Sequence, residues 1–211
     1  MQYLRDPDRI RQQNYDKIRE LVALERFTPD QQQVVIHMVR AYGDPELAHY
    51  LQFSDKATDA ALKLIKKRNN ILYDVELVRH ALDDSLLYQE PLSFLGKASV
   101  ISHAKANKQT RAMTAVEHWR PYMANSIILI GQSATALFHL LEMLKDGAPK
   151  PALIIATSRG FVNAEPAKQA LWEQREDLGL ECIVVNGTRG GGVLAAAALN
   201  ALLMIQQGMY V

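Results

Sequence analysis

The 211-residue chain predicts an α/β fold: an open, mainly parallel sheet of about five strands, helices on both faces and helical elements ahead of it. Three observations carry this. First, a short aliphatic run stops at a glycine-bearing turn and restarts as an Ala- or Leu-rich helix at residues 126–141, 152–171 and 182–203, the pattern of parallel βα units. Second, a 48% hydrophobic chain of this length fills one domain, 1–211, rather than two. Third, the first seventy residues carry helix-start signals and interrupted apolar stripes.

In chain order, Asp6-Pro7-Asp8 opens a helix with Ile10, Ile18, Leu21 and Val22 as its apolar stripe. A second helix starts at Thr28-Pro29-Asp30, turns Val34, Val35, Met38 and Ala41 inward, and stops at Gly43-Asp44-Pro45. A third runs from Asp55 to Lys67 with Ser54 as N-cap. Asn70–Tyr73 is a short strand leading into Asp74, and the pattern fades between Ser85 and Ser99. Ser99-Val100-Ile101 is read as a strand, and Arg111–Met123 as a helix with Met113, Val116 and Trp119 inside and Pro121 limiting its final turn.

Composition narrows the function. A formal net charge of +1 argues against nucleic acid or a membrane surface as partner, so any anion recognition is local. The single cysteine, Cys182, excludes an internal disulfide and a cysteine metal cluster, and it sits in an aliphatic strand as a core residue. Charges fill the amino terminus where a signal peptide needs an apolar stretch. The run Val193–Ile205, broken by Asn200, falls short of the roughly 18 residues of a membrane span. A soluble cytoplasmic protein is expected.

Parallel sheets bind ligands outside the carboxyl ends of their strands, which directs attention to the three turns. Asn186–Gly192 places three consecutive glycines and Arg189 before a helix; it suits backbone approach to an anion, and equally a tight connection needing no ligand. It is neither a Walker A loop nor a GxGxxG fingerprint. Gly131–Thr135 offers Gln132, Ser133 and Thr135, whose hydroxyls also suit helix capping. Ser158–Val162 adds Arg159, and the convergence of Arg159 with Arg189 on one edge suggests an anionic ligand.

None of the six histidines stands in a metal-binding pattern. His37 and Arg40 lie three apart on nearly the same side of the second helix, a spacing that by itself also describes a solvated face. No Ser/His/Asp triad is evident.

With these motifs on the page, the chain resembles the precorrin-8X methylmutase family of cobalamin biosynthesis. The resemblance runs from Tyr3, Asp6-Pro7, Gly43-Asp44, Phe53-Ser54, Asp74 and Thr110-Arg111 through Ile130-Gly131, Thr135-Ala-Leu and Gly160-Phe-Val to Lys168, Gly190-Gly191 and Asn200-Ala-Leu. It implies a homodimeric α/β isomerase, with no redox step and no dissociable cofactor, and with a site shared between subunits. The substrate it implies is an anionic tetrapyrrole, whose methyl group moves from C11 to C12 while a histidine protonates or hydrogen-bonds a ring nitrogen.

Against the family pattern R-M-I-H-x-x-G-D, this chain reads His37-Met38-Val39-Arg40-Ala41-Tyr42-Gly43-Asp44, with histidine and arginine interchanged. Arg40 therefore occupies the catalytic histidine's place as a fixed cation, and His37, about 60° round the helix, is the second catalytic candidate. The resemblance further implies substrate binding by Asn14, Tyr15, Arg111, Gln132, Ser133, Thr135, Arg159, Gly160, Lys168, Thr188, Arg189, Gly190 and Gly191. Arg111, Arg159, Lys168 and Arg189 are its carboxylate partners. Other departures fall at Asn14 for serine, Pro166 for glutamate, and within the turns at 131–137, 158–162 and 187–192. They leave a non-catalytic tetrapyrrole-binding paralogue, or another small-anion enzyme on the same sheet, as alternatives to the methylmutase.

Overall fold

The computed structural model describes Met1 and residues 3–211. Its strands are β1 (Leu51–Phe53), β2 (Ile71–Tyr73), β3 (Ile127–Ile130), β4 (Leu153–Ala156) and β5 (Cys182–Val185). Its helices are α1 (Pro7–Leu21), α2 (Pro29–Tyr42), α3 (Ala57–Lys66), α4 (Glu76–Ala81), α5 (Ala98–Ala106), α6 (Arg111–Val116), α7 (Ala134–Lys145), α8 (Ala164–Leu178) and α9 (Gly192–Gln206). One five-stranded sheet has the order β1-β5-β4-β3-β2, parallel throughout except for β1, which pairs antiparallel with β5.

From β2 to β5 the chain steps across the sheet in one direction. Right-handed crossovers then place the connecting helices on one side, all but the short α4. Accordingly α5 to α8 pack on Ile128, Ile130, Ile154, Ala156, Cys182 and Val184. The opposite face, with Ile127, Leu129, Leu153, Ile155, Ile183 and Val185, is covered by α1 to α4 and α9. Helix α9 is apolar on almost every side and lies enclosed against α2, α3 and α4, the surroundings such a helix requires.

The expected elements form with local corrections. Asp6 caps α1, but the buried stripe is Tyr15, Ile18 and Val22, while Ile10 and Leu21 face solvent. Thr28 and Gln31 form a capping box on α2, and Gly43 ends it at φ 80°. Val34, Val35, Ile36, Met38 and Val39 turn inward there, and Ala41 is exposed. Helix α3 starts later than expected, at Ala57, because Ser54 is engaged elsewhere: its hydroxyl bonds the Glu181 carboxylate and accepts the Cys182 N–H at 2.8 Å.

Ser99-Val100-Ile101 is helical, within α5; only Val100 of the three is buried, with Ala104 one turn on. The fifth strand is β1 instead. Helix α6 ends at Val116 and tightens into a 3-10 turn, Glu117–Tyr122, that contains Pro121 and buries Trp119. The poorly patterned stretch before α5 lies along the outer edge of β2, where Leu92 exchanges backbone bonds with Ile71 (2.8 Å) and Tyr73 (3.1 Å). Cys182 is buried, and its thiol is pushed up to about 12 by that burial.

Candidate functional site

Because β2 to β5 are parallel, their carboxyl ends deliver Asp74, Gly131, Thr157 and Asn186 to one rim. Asp74 is buried and accepts the N–H groups of Gly131 (2.8 Å), Gln132 (2.9 Å) and Ser133 (2.7 Å). Burial pushes its carboxyl up, against the pull of those three donors. The side chain thus clamps the β3–α7 turn. Sequence reasoning passed it by as a site residue, although a charge directly after an apolar strand was the available signal.

Ser133 caps α7 by accepting the Ala136 N–H at 3.2 Å. Thr135 Oγ1 lies 3.1 Å from Ser133 Oγ and 2.7 Å from Thr110 Oγ1. That hydroxyl chain ties the start of α6, with exposed Arg111 as its first residue, to the same edge.

The other two turns interlock. Gly191 N–H donates to the Thr157 carbonyl at 2.6 Å, Thr157 Oγ1 donates to the Gly191 carbonyl at 3.0 Å, and Gly160 N–H donates to the Thr188 carbonyl at 3.0 Å. Gly190 has φ 146°, and a Cβ there would run into the Thr157 carbonyl. At Gly131 a Cβ would sit 2.6 Å from Gly192 Cα. Gly190, Gly191 and Gly192 are buried, so this run serves close backbone approach between turns rather than an open anion cup.

Side chains supply the exposed chemistry. Gln132, Arg159, Gly160, Thr188, Arg189 and Gly190 line a cleft of about 470 Å³ whose rim is completed by Tyr42 and Phe161, the latter 96% exposed. The Arg189 guanidinium stacks 4.0 Å over the Tyr50 ring. Lys168, expected among the carboxylate partners, is instead fully buried beneath the turn and donates to the Arg189 carbonyl at 2.9 Å. Burial lowers its ammonium to about 8, with Glu165 pulling the other way.

A second cleft, of about 320 Å³, is formed by His37, Arg40 and Ala41 of α2, Ala81 of α4, and Val193, Ala197 and Asn200 of α9. The end of α2 lines both clefts, Ala41 one and Tyr42 the other, and the start of α9 lies between Gly190 of the first cleft and Val193 of the second. Tyr15, buried on α1, backs this wall. Its ring lies 5.4 Å from that of His37, and its hydroxyl accepts from Arg40 Nη1 at 3.4 Å.

Burial, and then the neighbouring Arg40 charge, lower His37 to about 4. At neutral pH the imidazole is uncharged and Arg40 is the cation. Asn14 is exposed, and its amide donates to the Ile10 carbonyl of its own helix at 2.8 Å. Asn200 is occupied by the Ala81 carbonyl (3.0 Å) and the Asp83 N–H (3.1 Å).

Neither cleft has a carboxylate in its lining, so Arg40, Arg159 and Arg189 face the space without a competing internal anion. Among the described residues, no group of three or more His, Cys, Asp or Glu could hold a metal ion, and no helix is long and apolar enough to cross a membrane.

By fold the chain is an α/β protein with arginines and neutral hydrogen-bond donors along one sheet rim and a His–Arg pair on the helix wall beside it. More narrowly, the chain belongs to the precorrin-8X methylmutase family, isomerases of cobalamin biosynthesis, whose family model matches residues 9–205. It is 36% identical over 202 residues to the precorrin-8X methylmutase of Pseudomonas aeruginosa, covering 95% of this chain and 96% of that one. It is 28% identical over 190 residues to the cobalt-precorrin-8 methylmutase of Methanocaldococcus jannaschii, covering 89% and 87%.

Among solved structures, the precorrin-8X methylmutase of Thermus thermophilus superimposes with a TM-score of 0.86 at 30% identity, over 97% of this chain and 98% of that one. A precorrin-8X methylmutase related protein gives 0.81 at 25% identity, over 90% and 99%. The resemblance read from the short motifs and the α/β architecture both hold.

Proposed function

We propose that the chain catalyses the family's methyl shift from C11 to C12 of a precorrin-8-like tetrapyrrole, yielding a hydrogenobyrinate- or cobyrinate-type product in the cytoplasm. The observation that carries this reading is the pair of carboxylate-free clefts, both lined by arginine and both reached by the end of α2. The C11–methyl bond breaks as the C12–methyl bond forms and the ring double bonds shift, so the step needs neither oxidant nor reductant.

Arg111, Arg159 and Arg189 take substrate carboxylates, with Gln132 and Thr188 as neutral donors. Arg40 donates to the ring-nitrogen region without surrendering its proton, and Tyr15 orients it. His37, uncharged when the cleft is free, takes up a proton beside the bound carboxylates and acts as the acid. Ser133, Thr135, Gly160, Gly190 and Gly191 shape the rim, and a second copy of the chain closes the clefts in a homodimer with a shared site.

The test mixes purified protein with precorrin-8X and follows the hydrogenobyrinate chromophore. Turnover is expected, falling about 100-fold in Arg40→Ala, the size of effect that loss of one fixed charged donor produces. A second reading, a tetrapyrrole-binding paralogue without catalysis, draws on the interchange of His37 and Arg40 and on the weak basicity of that buried imidazole. Pigment binding with no turnover would establish it in place of the first.

A further inference from the structure

Arg189 stands on a turn flanked by glycines, where backbone and side chain would otherwise be free to wander. Two contacts remove that freedom. From the side, the Tyr50 ring lies 4.0 Å from the guanidinium carbon; from below, the buried Lys168 ammonium holds the Arg189 carbonyl at 2.9 Å. Tyr50 reaches the rim through the one antiparallel pairing in the sheet. Because β1 opposes β5, with Leu51 across from Val185, the residue before β1 emerges where β5 ends. The Tyr50 carbonyl then accepts the Asn186 N–H at 2.7 Å, so the ring and the turn it serves are fixed to each other by backbone.

We propose that Tyr50 and Lys168 are positioning residues that preset Arg189 for a substrate carboxylate, so that they govern affinity for the anionic macrocycle rather than the rate of the methyl shift. The inference rests on the methylmutase reading. An arginine already ordered loses less side-chain freedom on binding, and that saving appears in KM and Kd. The ring face makes the contact, so the Tyr50 hydroxyl is dispensable. The Asn186 bond is to backbone, so side-chain replacement at Tyr50 leaves it in place.

The experiment uses the full chain, with precorrin-8X turnover and spectral titration by hydrogenobyrinic acid. Tyr50→Leu should raise KM and Kd about tenfold with kcat and the unfolding midpoint near wild type, while Tyr50→Phe retains wild-type affinity. Lys168→Met should raise KM in the same direction. In an Arg189→Gln background, Tyr50→Leu should add nothing, because the group it orients is gone. An unchanged KM in Tyr50→Leu, or a full additive loss on top of Arg189→Gln, overturns this inference alone. Failure of the wild-type chain to bind any corrinoid overturns the methylmutase reading together with it.

Discussion

The rim turns line one cleft and the α2 wall, backed by Tyr15 of α1, lines the other, and the two are held in opposite ways. At the rim the groups being held are backbone: the Asp74 carboxylate takes three N–H groups, and Gly191 exchanges bonds with Thr157. On the wall it is side chain against side chain, with Arg40 and the Tyr15 hydroxyl 3.4 Å apart and the Tyr15 and His37 rings tilted against each other. A backbone fastening constrains which residues fit at all. A side-chain fastening allows exchange of one side chain for another, because no backbone group loses its partner.

The sharpest way to break the contrast is a pair of glycine substitutions. Gly190→Ala combines a disfavoured φ with a clash against the Thr157 carbonyl, whereas Gly160, at φ 138°, has open space around its would-be Cβ. Denaturant unfolding should show a loss of ~4 kcal/mol for the first and ~1–2 kcal/mol for the second. Equal losses would mean that the turns do not interlock.

Next in size is Asp74→Asn, which replaces one acceptor oxygen of the clamp with a donor while keeping the shape. A loss of ~2 kcal/mol is expected, with weaker protection of the Gly131–Ser133 amides in hydrogen exchange. Full protection would place the turn's order elsewhere.

The wall should respond to acid. His37 is lowered from 6.5 to about 4, so between those values the unfolded chain takes up a proton that the folded chain refuses. Stability therefore falls as pH drops through that window. The wild type should lose ~2 kcal/mol more than His37→Gln across it, after allowance for solvent screening. Parallel pH profiles for the two proteins would put His37 in open solvent.

The β3, β4 and β5 units were legible because a parallel strand covered on both faces is written as an unbroken aliphatic run ending in a turn. Strand β1 was not: Leu51–Phe53 is three residues long, and its partner, β5, lies far along the chain. Val100 and Ala104 show helical spacing, but the β-branched pair Val100-Ile101 outweighed it in the reading. At the site, Arg159 and Arg189 were visible as charges beside glycines. The inward course of Lys168, the clamp by Asp74 and the ring of Tyr50 depend on tertiary neighbours, which no local pattern encodes.

The enclosed helix α9 carries a consequence for biogenesis. Residues 192–206 are translated after every element they pack against, and until they emerge α2, α3 and α4 have no shared surface to pack on, while β1 waits for β5. The layer of α5 to α8 forms from neighbours in the chain and can condense as it is translated. The opposite layer needs contacts between segments far apart in the chain, a topology that slows folding and lengthens the interval in which a nascent chain depends on chaperones.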